Sequence, residues 1–214
     1  MSDTSLKSAV CRQCGKPFDI PELPALVNVA DTPSLKERVK DGTLFTAICP
    51  ACGAVNIAKA KMLYHDPSLR LMIWLLPEES LTEEERLRIE DSIESLWSSV
   101  KDSLHDYVFR RVGDVGSLIE KVRIFDAGLE DTVIEMCKFV SGKELDADGL
   151  RFRAMAGADN EMEFVFPRGG EMHSVKVGFN VYEDCRAILG RNPSIVPVGP
   201  FPEVGPDWTA SVFG

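Results

Sequence analysis

The 214-residue sequence has no apolar run long enough to cross a bilayer. The longest, LMIWLL at residues 71–76, falls far short of the roughly twenty residues a spanning helix needs. The opening MSDTSLKSAV lacks the basic start and apolar stretch of a secretory leader. These two absences predict a cytoplasmic protein with no membrane partner. Positive charge is also scarce: 24 Lys/Arg stand against 34 Asp/Glu, a formal net charge of −10. That balance disfavours nucleic acid as a partner, because phosphate backbones select basic faces. The acidity is uneven. Residues 1–76 carry nine Lys/Arg and seven Asp/Glu, and the remainder carries fifteen and twenty-seven. Histidines number three, and the chain contains no P-loop, GxGxxG, HExxH or GxSxG pattern. Sequence motifs therefore offer no catalytic residue.

Cysteine is present in a telling arrangement. VCRQCGKPF at residues 10–18 and ICPACGAVNI at residues 48–57 each hold two cysteines two residues apart, followed at once by glycine. In a reducing compartment such pairs serve metal binding or redox chemistry rather than disulfides. A redox CxxC sits at a helix N-terminus, where the dipole lowers a thiol pKa. Neither CGKPF nor CGAVN begins a helical pattern, and two matched pairs make up the four soft ligands that tetrahedral zinc prefers. Cys11, Cys14, Cys49 and Cys52 are thus the expected metal ligands, holding one structural Zn2+ with no open position for a substrate. The 34 residues between the pairs are no obstacle. Doubling a loop costs about 0.6 kcal/mol, against roughly 10–16 kcal/mol from structural zinc.

The pattern along the chain predicts an α+β fold: an N-terminal zinc-ribbon-like β module, a central helical segment with one long helix, and a small C-terminal antiparallel β module. Residues 17–30 read as irregular chain ending in a strand, 31–42 as a helix of about two turns, and 43–48 as a strand. Residues 54–76 read as a β-hairpin turning at HDPS. The long helix is predicted across ESLTEEERLRIEDSIESLWSSVKDSLHDYVF, with a Thr82/Glu85 capping box and apolar residues every three or four positions. Arg110 and Arg111 are expected to end it. Two shorter helices follow, over 113–128 and 129–142, each closed by glycine. Beyond residue 143, three short strands, a helix near 182–189 and an extended Pro/Gly-rich tail are predicted, the tail folding back through Phe201 and Trp208. The expected domains are 1–140, with the ribbon at 8–76 and helices at 81–140, and 143–214. His65, His105, His173 and Cys137 have ordinary structural readings, as turn, boundary, strand and core residues.

With both cysteine pairs and the following hairpin in hand, the chain resembles the CpXC family of bacteria and archaea, named for a Cys-Pro-x-Cys motif. CPAC at residues 49–52 matches that motif, and CRQC departs from it only at Arg12, which is not a ligand position. The lead-in DGTLFTAICPACG, the hairpin MLYHDPSLRLMIWLLP and the helical RVGDVGSLIEKVRIFDAGLEDTVIEMCKF extend the resemblance over residues 8–140. It implies zinc binding and carries over no catalytic residue. Three function classes follow. The leading one is a zinc-stabilised module that binds a protein partner. The alternative is a nucleic-acid-binding ribbon using Lys16, Lys36, Arg38, Lys40, Lys59 and Lys61. The third is an enzyme with a site in a cleft between the helices and the β module. A homo-oligomer is expected if the long helix leaves an apolar patch uncovered.

Overall fold

A computed structural model describes residues 6–58, 61–77, 82–157 and 160–213. Among these residues there are six helices and eleven strands in four small sheets, an α+β fold.

The centre is a four-stranded mixed sheet. Its strands are β3 (Leu26–Asn28), β6 (Met62–Asp66), β7 (Leu71–Leu75) and β8 (Val108–Val112), in that spatial order. β6 and β7 form the antiparallel hairpin, while β3 pairs with β6 and β7 with β8 in parallel. Strand periodicity sorts β7 between two cores. Leu71, Ile73 and Leu75 face one side, with Val27, Tyr64, Val39 of helix α1 (Ser34–Lys40) and Leu118 and Val122 of α3 (Val115–Asp126). Met72 and Trp74 face the other side, against Ile93, Leu96 and Trp97 of the long helix α2 (Glu83–Val100). The turn between β6 and β7 is built by Asp66, whose Oδ1 accepts from the backbone N–H groups of Ser68 and Leu69.

α2 begins where the sequence places it. Thr82 accepts from the Glu85 N–H, and Glu85 accepts from the Thr82 N–H, satisfying two donors that would otherwise lack partners. It ends earlier than predicted, at Val100. Residues 101–106 turn, and Tyr107 starts the run into β8. Leu104 and Tyr107 kept the helical spacing because they line the same core as α2 from a non-helical backbone. Arg110 and Arg111 are therefore strand residues, correcting their assignment to a helix end.

α3 is capped by Asp114, which accepts from the Ser117 N–H. α4 (Asp131–Leu145) runs through Gly142 instead of closing there, and stops at Asp146 in the left-handed region. The chain then folds back so closely that a Cβ on Gly142 would lie 3.0 Å from the Ala147 carbonyl oxygen. β9 (Arg151–Ala156), β10 (Glu161–Arg168) and β11 (Glu171–Gly178) form an antiparallel sheet with β10 in the middle. Met162, Phe164 and Phe166 of β10 pack on α4 and on α5 (Phe179–Arg191), in one core with Cys137 and Cys185. The tail is not wholly extended. Phe201 is buried between Trp74 and Phe109, with ring centroids 5.6 and 5.1 Å away, and residues Pro206–Phe213 form helix α6. Pro206 opens that helix, the first-turn position that proline tolerates best.

Candidate metal centre

Two short hairpins carry the cysteines. β1 (Leu6–Val10) pairs with β2 (Pro17–Pro21), and β4 (Thr46–Ile48) pairs with β5 (Val55–Ile57), both antiparallel. The predicted 54–76 hairpin is thereby divided, since its first limb contributes β5 here and β6 to the central sheet. The turns are built alike. The Cys11 N–H donates to the Lys16 carbonyl and the Gly15 N–H to the Cys11 carbonyl. The Cys49 N–H donates to Ala54 and the Gly53 N–H to Cys49. All four bonds are 2.9 Å long. Gly15 and Gly53 sit at φ +70° and +74°, which explains the glycine after each second cysteine.

Chain topology brings the two turns together. The first hairpin runs into β3 and the second into β6, and these strands lie side by side in parallel. Their starting ends therefore adjoin, and the hairpin that precedes each arrives at the same end of the sheet. The long spacing between the cysteine pairs holds β2, β3, α1 and β4, the elements that make this return.

The four sulfurs lie within 4.8 Å of one another and could hold a metal ion. Cys11 Sγ is 3.7 Å from Cys52 Sγ, and Cys14 Sγ is 3.8 Å from Cys49 Sγ. Each of these contacts joins one hairpin to the other. Cys11 and Cys49 are buried with Phe18, while Cys14 and Cys52 face outward. The amide of Cys14, helped by Gln13, Asn56 and Cys52, outweighs burial and holds the Cys11 thiol down to about 6. The Ala54 amide favours the Cys52 thiolate, but burial and three neighbouring sulfurs push that thiol up to about 12. The two shifts oppose each other because thiols held this close compete for charge: ionising one raises the cost of ionising its neighbour. A metal held by all four sulfurs as thiolates would release protons on binding.

Asn56 joins the centre although sequence reasoning passed over it. Its Oδ1 accepts from the Arg12 N–H at 2.9 Å, its Nδ2 donates to the Ala54 carbonyl at 3.0 Å, and Nδ2 lies 3.6 Å from Cys11 Sγ. It thus ties the second hairpin to the first turn. Its one signal in the sequence is its offset: Asn56 follows Cys52 by four residues, as Phe18 follows Cys14. Both residues face an alanine across their hairpins, in the pairs Ala9/Phe18 and Ala47/Asn56.

The histidines stand apart from this cluster. His65 lies in β6 with Nε2 3.4 Å from the Tyr107 hydroxyl, and desolvation lowers its pKa. His173 sits in β11, 5.8 Å from the Phe166 ring.

Comparison with curated proteins finds no match, and neither does comparison with solved structures. The family model described as CpXC protein matches residues 3–138, which spans both cysteine hairpins, the central sheet and helices α1 to α3. The chain belongs to the CpXC family.

Proposed function

We propose that the protein is a zinc-stabilised module that binds a protein partner through its cysteine hairpins. The observation that carries the metal reading is the pair of sulfur separations, 3.7 and 3.8 Å. Four ligands at a zinc–sulfur distance of about 2.3 Å have tetrahedron edges of about 3.8 Å. Four thiolates fill the coordination shell, so the ion is structural. It stabilises a small module whose own buried core is little more than Phe18 and two cysteines. A reducing cytoplasm suits free thiolates.

The partner reading rests on the outward faces. In β4–β5 the register places Ile48 opposite Val55 and Thr46 opposite Ile57. Alternation puts these side chains on one face, and the three apolar ones are 69, 65 and 56% exposed for Ile48, Val55 and Ile57. Leu6 and Val10 stand out on β1 in the same way. Clustered exposed apolar side chains on a rigid support mark contact surfaces. Nucleic acid is the weaker reading. Lys36 and Lys40 pair with Asp126, Lys61 pairs with Glu85, and Lys59 lies outside the described residues.

A photo-crosslinking residue at Val55 tests this reading in cells, with the exposed Glu94 of α2 as the control position. A discrete protein adduct at Val55, absent at Glu94 and lost on Ile57→Lys, is the expected result. No adduct at Val55, or equal adducts at both positions, contradicts it.

A further inference from the structure

A cleft lies among α3, α4, the loop before β9 and residues 203–208, with Arg151 at the start of β9 on its edge. Its inner wall is formed by Glu120 and Lys121 of α3 and Glu135 and Lys138 of α4, and the first turn of α6 closes one side. The cavity is about 220 Å³. The four inner side chains are only 3 to 10% exposed. Lys138 Nζ donates to Glu120 at 3.0 Å and to Glu135 at 2.9 Å, and Lys121 Nζ donates to Glu135 at 3.3 Å. Glu120 also accepts from the Phe152 N–H at 2.7 Å.

Lys121 also pairs with Asp131, but net stability gives little reason for the rest of this wall to be charged. Well-packed apolar side chains of the same volume are commonly as stable as buried ion pairs, or more so. Charges gathered on a concave surface point to a polar occupant. Every bond just described uses Oε1 of the two glutamates. Oε2 of Glu120 lies 4.0 Å from Arg151, beyond hydrogen-bond range, and Oε2 of Glu135 has no hydrogen bond to the described residues. The inner wall therefore keeps acceptor capacity for an incoming donor. At the mouth stand two cations, Arg111 beside Glu203 and Arg151 beside Asp114. The lining as a whole carries four cations and four carboxylates. A net anion or a net cation meets as much repulsion there as attraction, whereas a zwitterion can satisfy both signs. Leu150, Val204 and Trp208 add apolar surface. A cavity of about 150 Å³ takes benzene, so this one suits roughly nine non-hydrogen atoms.

We propose that the cleft binds a small zwitterion with a primary ammonium, a carboxylate and a short apolar chain, the chemistry of a free α-amino acid. The ammonium donates to Glu120 and Glu135, the carboxylate accepts from Arg151, and the chain rests on Leu150, Val204 and Trp208. The site is separate from the cysteine centre and does not depend on the reading of that centre.

Calorimetric titration of the full-length protein with each of the twenty L-amino acids tests this, followed by the pair of one-charge analogues. For leucine these are 3-methylbutylamine and 4-methylpentanoate. At least one amino acid is expected to bind, with both of its analogues at least tenfold weaker. Glu135→Gln should weaken leucine and the amine alike. Arg151→Gln should weaken leucine at least tenfold and leave the amine unchanged. Arg151 is 41% exposed, so this variant carries the test even if Glu135→Gln does not fold. Absence of binding by all twenty amino acids overturns the proposal, as does an amine-free analogue that binds as tightly as its amino acid.

Discussion

Asn56 shows how a single uncharged side chain can hold the centre in shape. It bonds the Arg12 amide, its own hairpin's Ala54 carbonyl and the sulfur of Cys11, so it fixes the spacing of two turns that share no backbone pairing. Partners of this kind orient ligands and tune their basicity. Asn56→Ala is expected to weaken metal affinity about 10- to 100-fold with all four cysteines in place. Competition against a chromophoric chelator measures this, and unchanged affinity contradicts the role. At this scale the sequence was legible where residue type and spacing coincide. Two thiols two residues apart, with a glycine at positive φ, announce a turn that could hold a metal. An asparagine four residues on announces nothing, because its value comes from a turn 44 residues away in the chain.

The elements are clamped to one another through charge. Asp131, the first residue of α4, accepts from Arg110 of β8 at 2.7 and 2.8 Å and pairs with Lys121 of α3 at 2.9 Å. It is buried, and despite that desolvation Lys121 and Arg110 hold its carboxyl well below the usual carboxylate range. A depressed folded-state pKa gives stability that is fully present above the unfolded value of about 3.9 and is lost as pH falls below it. Asp131→Asn is expected to cost about 3–5 kcal/mol at neutral pH, since it leaves the largely buried Arg110 without its carboxylate and Lys121 with Glu135 alone. It should also flatten the fall in stability below about pH 4. Urea unfolding across that range checks both effects, and a cost under about 1 kcal/mol rules out the clamp. None of this was legible beforehand. Lys121, Asp131 and Glu135 look like helix-surface charges in the sequence, and only the docking of α4 on α3 buries them. Capping boxes and apolar stripes are local, so α2 was found at its start. Parallel pairing is not local, so β8 was read as the end of a helix, although its residues Val108 and Phe109 suit a strand.

In the whole molecule, the cysteine hairpins hang from one end of the central sheet, and the parallel β3–β6 pair sets where they meet. The sheet is covered on both faces by its own helices, whereas the hairpins bury little besides Phe18 and two thiols. On the proposed zinc reading, the ion governs the hairpins, and the sheet with its helices stands without it. The most direct test of this account measures metal content by elemental mass spectrometry on the wild type and on a Cys49→Ser/Cys52→Ser double variant, with amide hydrogen exchange on both. The account predicts one zinc per chain in the wild type and none in the variant. It also predicts that protection is lost in residues 6–21 and 46–57 and kept in β6 and β7. A metal-free wild type whose hairpin amides remain protected would contradict it.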